Sequence, residues 1–248
     1  MENQPIHQPI NHLVNENYVY ANVLHYFGIE FYEYSDKTLE QVCIEKGLKP
    51  QLVMKHLEDI AKEKETVNLS LVAYPVEIVV EYLKYNHHQF VKYNLTYLST
   101  LINNLTEDST LVNDLKFVFP MFVQEFIEHL YEEEDTFFEY ILKLNKALQN
   151  TGSNWFEINK AIEQNALQHF AMEHHQHENA MSGIRNITKN YEVTPQTSLH
   201  LKVIYNELLQ FENMLYAHAR IENEVLFPKA ILLETEVKKQ IELTSKLN

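Results

Sequence analysis

The chain is poor in thiols, turn-formers and positive charge, and each shortage removes a class of protein. A single cysteine, Cys43, among 248 residues excludes an internal disulfide and any thiolate-rich zinc site. It also fits a reducing compartment. With only 4 glycines and 7 prolines, tight turns are scarce, so long helices with short connections are expected. Lys and Arg number 20 against 35 Asp and Glu, a formal net charge of −15. That balance repels nucleic-acid phosphate and anionic lipid, and no Lys/Arg cluster gathers into a basic groove. No apolar run approaches the ~20 residues of a membrane helix. Residues 1–15 have neither the basic start nor the apolar stretch of a secretory signal. A cytoplasmic protein with no nucleic-acid and no membrane partner is expected.

What is abundant is apolar sequence, 45% of the chain, arranged with helical periodicity. Residues 1–63 read as a small helical N-terminal domain. "NENYVYANVLHYF" stops at Gly28, "KTLEQVCIEKG" follows a cap at Ser35 or Asp36 and stops at Gly47, and "KPQLVMKHLEDIAKEK" forms a third helix. Without basic residues this unit suits docking or dimerisation better than DNA, so a homodimer is an expected assembly. Residues 64–75 read as a linker. Residues 76–248 hold four long helical patterns, at 76–104, 110–147, 154–190 and 197–227, and a tail helix at 232–246. Short polar breaks between the four predict an antiparallel four-helix bundle in an all-α fold.

A repeat runs through that bundle. His129-Leu-Tyr-Glu-Glu133 and His218-Ala-Arg-Ile-Glu222 share His, Glu at +4, an acid at +6 and Phe at +9, on the second and fourth patterns. In the first pattern, the apolar row Leu95, Ile102 extended back by seven lands on His88. In the third, Leu167 and Met181 bracket His174. Two helix hairpins of one design would thus each offer a lone His and a His-x-x-x-Glu pair. Residues at i and i+4 lie ~5–6 Å apart on one helix face, so each pair can hold an ion together or bridge two.

Burying such groups without a partner costs on the order of 1–3 kcal/mol each, and more for a carboxylate. Six of them would consume much of the ~5–15 kcal/mol net stability of a domain. A metal removes the conflict. Four imidazoles and two carboxylates without thiolate suit iron or manganese, and outnumber the four ligands of one zinc. The expected centre is two non-haem iron ions, held by His88, His129, Glu133, His174, His218 and Glu222. Both Glu would bridge, with open positions for an oxo or hydroxo bridge. His87, His175 and His177 are neighbours that could be mistaken for ligands, and His177 is the serious rival through its row with Phe170 and Ile184. His169, His200 and the N-terminal histidines have no counterpart in the repeat and are expected at the surface.

At these residues the chain resembles the iron–sulfur cluster repair di-iron proteins, which carry a haemerythrin-like domain behind a small N-terminal domain. "MEHHQHENAMSGIRNIT" and "HARIENEVLFP" match that pattern closely, "HHQFVKYNLTYL" and "EFIEHLYEEED" more loosely, over residues 16 to 228. The resemblance implies the same six ligands and adds two acids of the site region, Glu125 and Glu173, as orienting or iron-path residues. It implies restoration of clusters damaged by nitric oxide or peroxide, through supply of iron to damaged or apo iron–sulfur proteins. The alternatives are a haemerythrin-like sensor or carrier of O2 or NO, and a di-iron reductase of nitric oxide or peroxide. One departure is clear. The family's N-terminal domain has a Cys-Cys pair after a Gly-Ile-Asp-Phe-like stretch, whereas here Gly28-Ile29-Glu30-Phe31 is followed by Tyr32 and Glu33. Cys43, on the next helix, does not replace it.

Overall fold

The computed structural model describes residues 5–62, 71–149, 154–164, 167 and 181–245. These are helical, with no β-strand among the described residues. Four short helices come first: α1 (Ile10–Glu16), α2 (Tyr20–Tyr26), α3 (Leu39–Glu45) and α4 (Pro50–Lys62). α1 is additional to the three helices expected from the sequence. The two glycine stops are as expected, since Gly28 and Gly47 follow α2 and α3 with φ of 70° and 69°, a conformation side chains resist. The α3 cap is not at Ser35 or Asp36. Thr38 accepts from the Gln41 backbone N–H, while the Gln41 side chain accepts from the Thr38 N–H. This reciprocal box satisfies two end donors, which a lone Ser or Asp cannot do.

The long elements follow. α5 (Val76–Gln89) passes through a π-helical turn at Phe90–Leu95 into α6 (Thr96–Asn103). α7 (Thr110–Glu132) passes through a π-turn at Glu133–Phe138 into α8 (Glu139–Gln149). α9 (Trp155–Gln164) and α10 (Ser182–Ile187) are the described parts of the third pattern. α11 (Leu199–Ile221) passes through a π-turn at Glu222–Leu226 into α12 (Phe227–Ser245). Ser109 and Ser198 start α7 and α11 by accepting from Val112 and Leu201 N–H groups. At one end α6, α7, α10 and α11 pack together; at the other α5, α8, α9 and α12 do. That is the expected antiparallel bundle.

The fourth pattern was expected to end at Pro228, but the helix continues to Ser245. A proline inside an α-helix clashes with the carbonyl four residues back. Here that carbonyl belongs to Glu224, inside the π-turn, where the wider coil moves it away.

Two apolar clusters divide the molecule. One joins the N-terminal helices (Ile10, Leu24, Val42, Leu57) to the α6–α7–α11 end of the bundle (Leu98, Leu101, Phe119, Phe211). The other fills the opposite end with Leu83, Phe138, Leu144, Leu226 and Val237. Cys43 is fully buried in the first, and burial pushes its thiol above the ordinary value. His200 is not the surface residue that the sequence suggests. Its ring stacks on Tyr32 at 4.5 Å and 7°, so one of the residues standing where the resemblance puts the cysteine pair grips the bundle instead.

Candidate metal centre

Between the two apolar clusters the bundle interior turns polar. His87 from α5, His218 from α11, and Glu133 and Glu222 at the first positions of two π-turns form one buried group. One ligand-capable atom from each lies within 4.8 Å of all the others. The His87 and His218 Nε2 atoms are 3.1 Å apart. His87 Nε2 is 3.5 Å from Glu133 Oε2, and His218 Nε2 is 3.1 Å from Glu222 Oε1. Phe138 stacks on His87 from one side, and Phe90 meets His218 edge-on from the other. These rings exclude water and fix both imidazoles.

The electrostatics are those of a site built for positive charge. Burial raises the Glu133 carboxyl above its ordinary value, and the neighbouring Glu222 raises it further, against the hydrogen bond from His87. Burial alone would depress the His87 imidazole, but Glu133, Glu134 and Glu222 together hold it above its ordinary value. Two carboxylates and two imidazoles at such distances repel or compete for protons unless a cation lies among them. Ligands at ~2.0–2.2 Å from one ion sit roughly 3–3.5 Å from each other, and the His87–His218, His87–Glu133 and His218–Glu222 separations fall in that range. The residues therefore fit a metal, and a donor set of nitrogen and oxygen without sulfur suits iron.

The sequence-derived ligands fare unequally. Glu133, His218 and Glu222 come together as the repeat requires. His88 does not: it is exposed, and its neighbour His87 is only 3% exposed and stands in its place. The reason is the π-turn at Phe90–Leu95, which inserts one residue into the helix. Counting back by seven across it from Leu95 falls one position short. Counting forward from the buried Val80 and Leu83 reaches His87 at +7 and +4. The mismatch between the two counts was the available signal. His129 is half-buried one turn before Glu133 and lies outside the group of four. Glu125 is exposed on the same helix. His174 and Glu173, with the rivals His175 and His177, lie outside the described residues.

One further residue was missed. Glu134 Oε1 lies 2.8 Å from His87 Nδ1, behind the ring. No sequence signal marked it, because it adjoins Glu133 and points elsewhere.

Comparison with known proteins agrees with this geometry. Residues 78–230 match the hemerythrin HHE cation-binding domain. The chain is also similar to the iron-sulfur cluster repair protein ScdA of Staphylococcus haemolyticus (strain JCSC1435). The two are 16% identical over 213 residues, covering 84% of this chain and 91% of that relative.

Proposed function

The chain belongs to the hemerythrin HHE cation-binding family, and from that premise we propose that it is a non-haem di-iron protein that repairs damaged iron–sulfur clusters by supplying iron. The observation that carries the reading is the buried convergence of His87, His218, Glu133 and Glu222 within 4.8 Å at the middle of the bundle. The similarity to a cluster repair protein along most of both chains supports the use to which such iron is put.

In this reading His87, Glu133, His218 and Glu222 hold the metal. His129 and, from the third helical pattern, His174 are the remaining donors of a two-ion centre. When bound, the iron pair supplies both the redox chemistry and the cargo. The protein's own residues do the rest. The carboxylates carry the negative charge that draws a divalent cation inward. Phe90 and Phe138 keep bulk water from the imidazoles. Histidine and carboxylate hold ferrous iron only moderately in the divalent series, which suits release to an acceptor. Damaged or apo iron–sulfur proteins are the proposed partners.

Anaerobic reconstitution with ferrous iron should load two iron atoms per chain, and mixing with an apo-ferredoxin should transfer them. Protein that takes up no iron would sink the di-iron reading. Iron that stays bound while O2 or NO binds reversibly would replace repair with sensing or carriage. Glu133→Leu or Glu222→Leu should empty both positions, because each carboxylate is proposed to bridge; loss of one ion alone would reject that role.

A further inference from the structure

The pairing behind His87 carries an inference that rests on the di-iron reading and goes beyond it. The His87 ring is buried, with Nε2 directed at Glu133 and His218 and Nδ1 at the Glu134 carboxylate, 2.8 Å away. An ionised carboxylate can only accept, so the bond places a ring proton on Nδ1, and Nε2, which faces Glu133 and His218, is the atom left to offer its lone pair to a metal. We propose that Glu134 is a positioning residue: it fixes the tautomer and orientation of His87 and makes its Nε2 a stronger donor to the metal.

Several observations separate this from a surface ion pair. Glu134 comes from the second helical rod and His87 from the first, 47 residues away, so the bond ties two rods together at the site. Both carboxylates, Glu133 and Glu134, lie at the start of the same π-turn. Successive residues there aim at opposite nitrogens of one ring, Glu133 at Nε2 and Glu134 at Nδ1. The internal repeat is broken at this point. The second hairpin has Asn223 where the first has Glu134, so the acid is not part of the shared template. On the other imidazole, His218 Nδ1 is buried with no hydrogen-bond partner among the described residues. Hydrogen bonding of this kind to a metal-bound imidazole raises its basicity, and its removal lowers metal affinity about 10–100-fold.

The test compares Glu134→Gln and Glu134→Ala with the parent in the full chain. Three readouts are taken: the nitrogen chemical shifts of His87 in metal-free protein in alkaline buffer, ferrous affinity by anaerobic competition with a chromophoric chelator, and the thermal midpoint without metal. The parent should show the Nδ1–H tautomer. Glu134→Gln keeps an acceptor of the same shape, so it should keep that tautomer with a several-fold weaker affinity. Glu134→Ala should lose the tautomer preference and about 10–100-fold in affinity. Parent-like affinity in Glu134→Ala, whether or not the thermal midpoint falls, would overturn the proposal, as would a parent His87 protonated on Nε2. Should the parent bind no iron, the di-iron reading fails by itself, and the tautomer still decides whether Glu134 directs His87.

Discussion

Two adjacent histidines of nearly identical surroundings in sequence have opposite fates. His87 is buried in the polar group, and His88 is exposed with its ring near Tyr93. The structure thus predicts an unequal pair of substitutions. His87→Ala should reduce ferrous affinity by more than the ~10–100-fold typical of an outer partner, whereas His88→Ala should leave it unchanged. Equilibrium competition under anaerobic conditions checks both, and the reverse result would restore His88. Glu133, His218 and Glu222 were legible in advance because the His-x-x-x-Glu spacing places both side chains on one helical face, whatever the remainder of the chain does. His87 was not, because its inward direction depends on what the backbone does three residues later.

That backbone feature recurs. Among the described residues three of the long rods carry a π-turn, two of them beginning at the carboxylates of the group and the third just after His87. A π-turn accommodates one extra residue and widens the coil at that level, and such turns concentrate at functional sites. The turn after His87 can be removed almost in isolation by deleting the exposed Lys92. The deletion should leave a regular α-helix in which His87 precedes the Leu95 position by seven residues, so both keep the faces they have now and His87 stays in the group. Far-UV circular dichroism should remain helical and iron uptake should be retained; lost uptake would show that the turn does more than absorb one extra residue. The same geometry accounts for Pro228, which reads in sequence as a helix stop. It also accounts for the mismatch of heptad rows across residues 87–95.

Across the molecule, the first apolar cluster shows how the N-terminal helices meet the bundle. Residues of α1 to α4 share a core with α6, α7 and α11, so the segment expected as a domain of its own buries its apolar face on the bundle. Polar groups are enclosed with it. Glu207 is buried, its Oε2 accepting from Asn22 of α2 at 3.4 Å and its Oε1 without a hydrogen-bond partner among the described residues. Burial pushes its carboxyl up to about 7, against the opposing pull of the neighbouring Asn22 and Asn206 amides. A raised carboxyl means that the folded protein holds this proton more tightly than the unfolded chain does. Glu207 is then harmless below its ordinary 4.5, costs progressively more towards about 7 and carries its full cost above. Glu207→Gln should therefore stabilise the protein by up to about 3 kcal/mol near pH 8 and much less near pH 5. Denaturant unfolding at the two pH values checks the sign. Metal acts on the whole molecule too, since the group joins three rods. Ferrous iron at 100-fold over its dissociation constant should add about 2.7 kcal/mol, which for a chain of this size raises the melting temperature by roughly 5–10 °C.

The helical fold, the antiparallel order of its long elements and the twinned His-x-x-x-Glu pairs follow from sequence alone, because they depend on spacing within one helix and on scarce turn residues between helices. Among the described residues no helix is long and apolar enough to cross a membrane, as composition also required. The choice of His87 over His88, the carboxylate of Glu134 behind that ring, the stacking of Tyr32 on His200 and the burial of Glu207 were decided by tertiary structure. Each depends on a register shift or on a partner far away in the chain, and a local pattern of residues carries neither.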